Sequence, residues 1–583
     1  MRVSNKIIIV VIALIILSVV YHHAPTIAAQ IPTGQDVGSL ETLTEDIKKD
    51  EAITKKITTE KKKPVIEEER GVIPQAPSEK VEVPETKVLI TKIEVTGPKI
   101  LMEKEIQVIV SQYEGKELSL SDFRDVADSI TADLRKKGYV TSIAYLPPQK
   151  IENNTLEIDV AEGRVGNINI TGNKYFRTKL LLRYIRLKSG DLFDYDKLRE
   201  DISYINQHPD RNARVVLARG EERGETDINI DVKDRLPIHV TAGYSNYNSD
   251  YLDRNKYSVE FKLDNVFGFD DIASAEVQLG EAGRYQLYSG RYIAPLTRNL
   301  KLGASYIHID QALGGSVATL KIKGKGDIVS LYLPYKLIDT DNFDMSISPA
   351  FDYKEIDNEI LGLVISQDNM RVAKMGVDLD IMDRFNGRTI IAQSFDYGIK
   401  DFMGGLRKKD PKASRVGAGG TFFKSVTNAA RIQSLPASTS LMLRGSMQLT
   451  AYNLVSSEQF VLGGITTVRG YPNAEQAGDN GYSASAELYV PCYFIPKKLK
   501  IPHTETTFYD AIRVLGFFDW GLVTNHNPQV GETKREDIYS VGPAVRFNIP
   551  NKLSVAFDYG FALGKRPSDG SKSRGYIEVK LFF

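Results

Sequence analysis

The last ten residues, "RGYIEVKLFF" (residues 574–583), carry the sharpest indication of the fold. Their apolar side chains fall on one face of an extended strand: Ile577, Val579, Leu581 and Phe583. Glu578 and Lys580 fall on the opposite face, because successive side chains of a strand alternate between its two sides. This pattern fits a strand that meets lipid on one face and a wet lumen on the other. A water-soluble β-sandwich gives the same alternation, so this strand alone leaves both folds open.

The same alternation recurs along residues 236–583, where helical periodicity disappears. We count sixteen candidate strands, which begin near Ile238, Tyr257, Ile272, Arg284, Lys301, Asp327, Phe343, Arg371, Thr389, Arg415, Ser440, Tyr482, Ala511, Asp537, Leu553 and Arg574. Three connections are short turns, whereas others exceed fifteen residues; the short ones are residues 294–299, 383–388 and 548–552. Short turns on one side and long loops on the other are typical of an outer-membrane barrel. The fold class is therefore mainly β: a closed transmembrane barrel of sixteen antiparallel strands over residues 236–583.

The composition is compatible with this interpretation. The chain has 583 residues, with Lys and Arg numbering 75 and Asp and Glu also 75, so its charge gives no indication of a nucleic-acid partner. Hydrophobic residues make up 42 %, as in a soluble protein, but the alternating strands of a barrel never accumulate the hydropathy of a membrane helix. Cys492 is the single cysteine, which excludes an intrachain disulfide and a cysteine metal cluster.

The amino-terminal region differs from the rest. Basic residues precede an apolar run at residues 7–20, and small residues follow it, so residues 1–29 are predicted to be a cleaved signal peptide. A retained membrane anchor is the alternative, but the run is short for a bilayer span. Residues 30–86 are predicted to hold one helix at 41–63, followed by a proline-containing linker; plain disorder fits this stretch nearly as well.

An internal repeat lies between the linker and the barrel. "ITKIEVTGPK" (residues 90–99) is echoed by "VGNINITGNK" (residues 165–174). A helical pattern follows each copy, with Ser119 as a candidate N-cap in the first; in the second the pattern begins after Asp194. Each copy then closes on an alternating strand. The repeat predicts two small α+β domains of β-α-α-β-β order, at residues 87–162 and 163–235.

One polar loop of the barrel carries an unexpected arginine. "VRGYPNAEQAGDNGY" (residues 468–482) lies between the eleventh and twelfth predicted strands, on the extracellular side by strand parity. A buried Arg469 would need a carboxylate partner, because arginine stays charged in proteins. Alternation offers two acids on inward faces, Asp519 and Glu487. Beside the arginine, Gly470 would supply backbone freedom and Tyr471 an aromatic wedge with a polar tip.

No motif for enzymatic chemistry is found in the sequence. It contains neither a G-x-x-x-x-G-K-[ST] loop nor a G-x-S-x-G elbow, and its histidines show no metal-ligand spacing outside the signal segment. "GAGG" (residues 417–420) falls inside a predicted strand and fits a packing or bend site better than a phosphate cradle. We therefore predict no enzymatic activity, no nucleotide, no cofactor and no metal.

The chain resembles a known family. Two β-α-α-β-β domains before a sixteen-strand barrel are similar to the POTRA domains and barrel of two-partner secretion transporters, the TpsB or haemolysin activation/secretion type. The second domain holds "INQHPDRNARVVLARGEERGETDINIDV" (residues 205–232), similar to the family's second-POTRA signature. The barrel holds, in the family's order, Val468–Arg469–Gly470–Tyr471, "GDNGYSASAEL" (residues 478–488) and "FFDWG", which includes Phe517, Phe518 and Gly521.

The resemblance implies a function and a set of partners. It implies a bacterial outer-membrane pore, with its POTRA domains in the periplasm, that exports a large haemolysin- or adhesin-like exoprotein. It also implies surrounding membrane lipid and a barrel-assembly machinery for the chain's own insertion. For the loop, it implies that Arg469 is held inside the lumen by Asp519, with Glu487 as a neighbour, and residues 41–63 correspond to a barrel-plugging helix. Two alternatives stay open: a factor that inserts other barrels, and a passive diffusion porin.

Overall fold

The computed structural model describes residues 65–68, 86–97, 103–222, 224–248, 251–529 and 531–583. The predicted signal peptide (1–29) and the predicted helix (41–63) lie outside the described residues. Of the linker at 30–86, the described part includes one short strand, β1 (Val65–Glu68). Among the described residues, no helix is both long enough and apolar enough to cross a bilayer.

The first α+β domain follows the predicted order with two additional short strands. Its elements are β2 (Val88–Ile90), β3 (Lys92–Thr96), α1 (Glu103–Val110), β4 (Lys116–Leu118), α2 (Leu120–Lys136), β5 (Ile143–Tyr145) and β6 (Thr155–Ala161). The additional strands are β2 and β4, which pair with each other. Helix α2 begins where expected, because Ser119 and Asp122 cap it reciprocally.

The second α+β domain has the predicted β-α-α-β-β order. It consists of β7 (Arg164–Thr171), α3 (Thr178–Tyr184), α4 (Tyr195–Asn206), β8 (Arg211–Arg219) and β9 (Glu225–Asp234). Asp194 caps α4 through the backbone N–H of Lys197, and the apolar faces of both helices pack on the sheet in one core. The linker strand β1 pairs in parallel with β8, so the sheet order is β1-β8-β9-β7.

The rest of the described chain forms a closed antiparallel barrel. Its strands are β10 (Ile238–Ser245), β11 (Lys256–Asp264), β12 (Ile272–Gly280), β13 (Tyr285–Pro295), β14 (Lys301–Ala312), β15 (Lys323–Tyr332), β16 (Tyr335–Asp339), β17 (Phe343–Ile360), β18 (Leu363–Gln367), β19 (Met370–Met382), β20 (Gly387–Gly398), β21 (Phe423–Ser434), β22 (Ser440–Thr450), β25 (Asn480–Pro491), β26 (Ile512–Thr524), β27 (Arg535–Ile549), β28 (Leu553–Ala562) and β29 (Ser573–Phe582). Inside one loop lie two more strands, β23 (Phe460–Leu462) and β24 (Gln476–Gly478). A short helix, α5 (Phe508–Ala511), and two 3-10 turns, Gly315–Leu320 and Ser456–Glu458, complete the elements.

The wall has sixteen strand positions, which confirms the prediction. Strands β15 and β16 pair with successive parts of β17, and β18 and β19 do the same on its other side, so each pair occupies one position. Pro334 interrupts the first of these positions, as expected for a residue without a backbone N–H. Strand β29 closes the barrel against β10, with Phe582 opposite Thr241. Closure pairs every strand on both sides, as a lipid environment requires.

Three details differ from the sequence-based expectations. The strand predicted near Arg415 begins at Phe423 instead, and "GAGG" (residues 417–420) lies in the preceding loop. Val416 of this loop is 78 % exposed, whereas Leu406 and Phe422 are buried against residues of other elements. In addition, the connection after β25, residues 492–511, lies on the side of the short turns and is nevertheless long.

The last strand has the two faces that its sequence indicates. Tyr576 is buried in the barrel interior at 1 % exposure, and the inward Glu578 and Lys580 form an ion pair at 3.0 Å. The residues of the opposite, lipid-side parity are Ile577, Val579, Leu581 and Phe583, of which Phe583 is 73 % exposed.

The second α+β domain is joined to the barrel by polar contacts at its turns. Arg211 donates two hydrogen bonds to Asp270, at 2.7 and 2.6 Å, in the turn between β11 and β12. The Tyr184 hydroxyl donates to the same carboxylate at 2.7 Å. In the next turn along the barrel rim, Arg298 donates to Asp201 at 2.5 Å. These bonds fix the domain below the barrel mouth.

Candidate functional site: a loop tethered in the barrel lumen

The connection between β22 and β25, residues 451–479, is called loop 6 here. It carries the short hairpin β23–β24, and most of its residues from Leu454 to Asp479 are buried. Since the chain enters the barrel from the two α+β domains, strand parity places this loop on the opposite side. The loop does not project outward: its side chains contact the inner faces of β25, β26 and β28.

Arg469 at the loop tip is bonded to three carboxylates. Its Nε and Nη2 donate to Asp519 Oδ2 and Oδ1 at 2.7 and 2.8 Å, a bidentate pair, and its backbone N–H donates to Oδ2 at 3.1 Å. Its Nη1 lies 2.7 Å from Glu487 Oε1 and 2.8 Å from Asp558 Oδ1. Ser485 bridges by accepting from Arg469 and donating to Asp519. The guanidinium is thus surrounded by acceptors on three strands.

Two further arginines balance the charge of this cluster. Arg546 donates two hydrogen bonds to Asp558, both at 2.8 Å, and Arg444 donates to Glu487 at 2.8 Å. The Tyr489 hydroxyl donates to the other carboxylate oxygen of Glu487, Oε2. The set contains three cations and three anions. We call it the lumen cluster: Arg444, Arg469, Glu487, Asp519, Arg546 and Asp558.

The residues beside Arg469 bring the loop backbone against the wall. Gly470 has φ +90°, and a Cβ on it would lie 3.0 Å from backbone atoms of Gly560, so both the conformation and the close approach favour glycine. Tyr576 receives the Gly470 N–H at 3.1 Å and donates to the Tyr471 carbonyl at 2.7 Å. Tyr471 is fully buried, and it packs in one cluster with Val468.

The "FFDWG" strand residues divide between the two faces of the wall. Phe517 is buried, and its ring lies 3.5 Å from the Arg469 guanidinium carbon, a cation–π contact. Gly521 faces inward, where a Cβ would lie 2.2 Å from Leu462 of loop 6. Phe518 faces the lipid side and is 47 % exposed. It does not take part in the tether.

A second buried ion-pair group holds the base of loop 6. Glu458 is 1 % exposed and lies 3.1 Å from Lys354 Nζ on β17 and 2.7 Å from Lys424 Nζ on β21. Lys424 also donates to the Glu458 carbonyl. Loop 6 is therefore fixed to two parts of the wall, β17 and β21 at its base and β25, β26 and β28 at its tip.

Several of these residues were not singled out from the sequence: Asp558, Arg546, Arg444, Ser485, Tyr576, Glu458, Lys354 and Lys424. Alternation in "LSVAFDYGFA" (residues 553–562) places Asp558 on the same face as Gly560, so that acid could have been found. Strand alternation shows which residues face the lumen. It does not show which of them lie at the same level along the barrel axis and therefore contact one another.

A group of possible metal ligands lies at the junction between domain and barrel. Ligand atoms of His208, Asp210 and Asp264 lie within 4.8 Å of one another. Both acids are already paired: Asp210 with Arg235 at 2.6 Å, and Asp264 with Lys262 at 2.8 Å. Arg235 and Lys262 already neutralise the two carboxylates that a metal would need as ligands. The group is therefore better described as an ion-pair network.

Comparison with known proteins assigns the family. Residues 224–547 match the haemolysin secretion/activation protein family ShlB/FhaC/HecB, which is more than half of the chain. The chain belongs to this family. Residues 88–163 match the POTRA domain of the ShlB type, and residues 164–235 match the POTRA surface-antigen repeat. The two α+β domains are therefore POTRA domains.

Relatives and solved structures agree with this assignment. The chain is 25 % identical to the heme/hemopexin transporter protein HuxB of Haemophilus influenzae over 82 % of this chain and 84 % of that protein. It is 23 % identical to the hemolysin transporter protein ShlB of Serratia marcescens over 63 % and 65 %. Among solved structures, CdiB from Escherichia coli superposes with a TM-score of 0.72 at 15 % identity, covering 96 % of this chain and all of that one. This last likeness is one of fold.

The family assignment confirms several predictions. The resemblance to two-partner secretion transporters and the POTRA-plus-barrel fold are correct. So is the location: a barrel in the outer membrane with periplasmic POTRA domains. The family consists of transporters that work with large secreted exoproteins, and it is not a family of enzymes.

Proposed function

We propose that the chain is an outer-membrane pore that captures an unfolded exoprotein in the periplasm and exports it through the barrel without nucleotide hydrolysis. The exoprotein would be haemolysin- or adhesin-like. The observation that carries the proposal is loop 6, which lies inside the lumen and is held by the lumen cluster. A passive porin has no need of such a tether or of POTRA domains. The proposal also includes outer-membrane lipid around the barrel and an assembly machinery that inserts it.

Capture of the client is proposed to occur by strand addition to a POTRA sheet. Main-chain hydrogen bonds at a sheet edge accept extended segments of varied sequence. In the second POTRA domain the β8 edge is already covered by β1, with Ile66 opposite Val215. Strand β7 at the other edge pairs only with β9 among the described strands, which leaves its outer side as the favoured edge.

Strand addition can be tested with a photo-crosslinking amino acid placed in the full chain. Position Asn169 on β7 is exposed and lies at the uncovered edge. Position Arg214 on β8 is also exposed but lies opposite Val65 of β1, and it serves as the matched control. An unfolded amino-terminal fragment of the client should crosslink at Asn169 and much less at Arg214. Equal crosslinking at both positions would contradict capture at β7.

The energy for export is proposed to come from the client itself. The sequence contains no phosphate-binding loop, and folding of the client outside the cell would bias its diffusion outward. Export into the medium should therefore proceed in vesicles that contain the chain and the client but no nucleotide. A requirement for added ATP would contradict this part of the proposal.

The main competing function is insertion of other barrels into the outer membrane. Deletion of the chain separates the two. The export proposal expects the client to be lost from the medium while other outer-membrane barrels keep their normal levels. A general loss of barrels would instead identify an assembly factor. A neighbouring gene for a very large secreted protein would support export.

A further inference from the structure

The long connection between β25 and β26, residues 492–511, presents apolar side chains at the periplasmic end of the barrel. We call it the periplasmic connection. Three of its apolar side chains are exposed: Tyr493 by 56 %, Phe494 by 87 % and Leu499 by 51 %. Water exposure of so much apolar surface is unfavourable. The position at the membrane boundary therefore suggests that these side chains meet lipid.

The periplasmic connection is held in a defined position. The Tyr493 hydroxyl donates to the Ala437 carbonyl in the turn before β22 at 2.7 Å, and Lys552 in the turn before β28 donates to the His503 carbonyl at 2.8 Å. Below it, Ile501 packs in a small core with residues of α5, β27 and β28. The exposed side chains are thus carried on a fixed platform between two neighbouring turns.

A groove runs from this platform along the lipid-facing side of β25 and β26. Its volume is about 440 Å³, and its lining is largely apolar. The wall is formed by Leu488 and Val514, which are exposed by 44 % and 41 %, and Phe494 of the periplasmic connection also lines the groove. Gly516 forms its floor: a Cβ there would meet no atom within 4 Å. The missing side chain leaves room for an extended hydrocarbon chain.

Basic residues follow Phe494 within the periplasmic connection. Between residues 492 and 500 there are three lysines and no acid: Lys497, Lys498 and Lys500. Lys500 pairs with the exposed Glu505 at 2.5 Å, and Lys497 Nζ lies 5.3 Å from the Tyr509 ring centre. Lys498 is exposed, and within the described chain it forms no ion pair. Two ammonium groups are therefore available for an anion.

We propose that this groove is a binding site for an anionic phospholipid of the periplasmic leaflet. One acyl chain lies along Leu488, Gly516 and Val514 on the lipid-facing wall. The headgroup phosphate lies at Lys497 and Lys498, at the level where basic side chains attract anionic lipid. Phe494 marks the interface between them, as aromatic residues do at membrane boundaries. The site would anchor the wall that carries Glu487 and Asp519, and it does not require a client.

The charge part of the site is tested by lipid binding to the full chain. The purified protein is titrated with phosphatidylglycerol or with phosphatidylcholine of the same acyl chains, and bound lipid is counted by native mass spectrometry. The wild-type chain should retain one phosphatidylglycerol in preference to phosphatidylcholine. The double variant K497Q/K498Q should lower the phosphatidylglycerol affinity on the order of tenfold. The matched control K408Q/K409Q, on exposed residues of an extracellular loop, should leave it unchanged.

The groove part is tested by filling the floor. Gly516→Leu should weaken binding of both lipids, because the added side chain occupies the acyl-chain path. Gly290→Leu is the matched control: it also meets no neighbour within 4 Å, and it lies on β13, away from the groove. Mobility of unboiled protein on gels shows whether each variant forms a folded barrel. If Gly516→Leu fails to fold, the lysine variant still decides.

Three outcomes would overturn the proposal. The first is equal affinity of the wild-type chain for both lipids. The second is an unchanged phosphatidylglycerol affinity in K497Q/K498Q. The third is a stable dimer that forms through the groove in place of lipid, which would identify a second copy of the chain as the occupant.

Discussion

Arg469 illustrates why a single partner does not describe a buried charge. Its side chain is 1 % exposed, and it contacts Asp519, Glu487 and Asp558. Charge exchange between Arg469 and Asp519 would place a new aspartate beside Glu487 and Asp558. Failure of that exchange to restore export would therefore not disprove the pair. Substitutions that remove charge one at a time are more informative.

We predict that Arg469→Ala destabilises the folded barrel by ~3–5 kcal/mol, because it leaves three buried carboxylates with two arginines. Arg469→Lys should be intermediate, since an ammonium keeps the charge but loses the bidentate geometry. Urea unfolding in detergent measures both. Asp519→Asn in the Arg469→Ala background should cost less than in the wild type, which completes a double-mutant cycle. Additive effects would contradict the direct contact.

Gly470 provides a second test at the residue scale. Gly470→Ala should destabilise the tethered loop by ~1–3 kcal/mol, because the residue combines φ +90° with a Cβ position 3.0 Å from Gly560. Gly531→Ala is the control, since Gly531 has φ +92° but no neighbour within 4 Å of its Cβ position. Urea unfolding in detergent measures the loss of stability in both variants. Equal losses of stability in the two variants would assign the effect of Gly470→Ala to backbone conformation alone.

At the scale of elements, strands were easier to predict than loops. Alternation predicts a strand because lipid and lumen select opposite side chains, and this rule found all sixteen positions of the wall. It placed the start of the tenth strand near Arg415 instead of at Phe423, because the loop at residues 399–422 also carries apolar residues. Leu406 and Phe422 of this loop are buried against residues of β19 and loop 6, so their spacing follows tertiary packing and not strand alternation.

The lumen cluster could be predicted only in part, for a related reason. Motif resemblance and strand parity pointed to Arg469, Asp519 and Glu487. Arg546 comes from β27 and Asp558 from β28, and they join the cluster because the closed barrel brings inward residues of several strands to one height. That height depends on the stagger of the whole barrel, which no local stretch of sequence contains.

The junction between the second POTRA domain and the barrel should be sensitive to acid. His208 is 8 % exposed. Burial, together with Arg211, lowers its pKa from 6.5 to about 4, against the opposing effect of Asp210, Asp264 and Asp270. The unfolded domain therefore binds the proton more readily, and stability falls as the pH decreases from 6.5 towards 4, by up to about 3 kcal/mol.

Hydrogen exchange of α4 in the full chain, corrected for intrinsic rates, measures this change between pH 7 and pH 4.5. His208→Gln should keep an acceptor for the Asp210 N–H, which His208 Nδ1 accepts at 3.1 Å, and should remove most of the pH dependence. An undiminished acid response in this variant would assign the effect to other groups.

At the scale of the whole molecule, three extracellular loops are connected by one buried arginine. Arg415 in the loop before β21 lies 2.7 Å from Asp479 in loop 6 and 2.8 Å from Glu532 in the loop after β26. It also donates to the Leu454 carbonyl at 2.6 Å. Arg415 is 4 % exposed. This side chain therefore connects three loops, whereas Arg469 connects loop 6 to the wall.

We predict that Arg415→Gln raises the single-channel conductance, or the frequency of openings, in planar bilayers. Its loss leaves buried Asp479 without its cation, and repulsion from Glu532 separates the loops that cover the outer mouth. The tip of loop 6 stays tethered by Arg469, so the change should be smaller than that of Arg469→Ala. Arg407→Gln, on an exposed residue of the same loop, should leave the conductance unchanged. If Arg415→Gln matches the wild type, closure of the mouth depends on loop 6 alone.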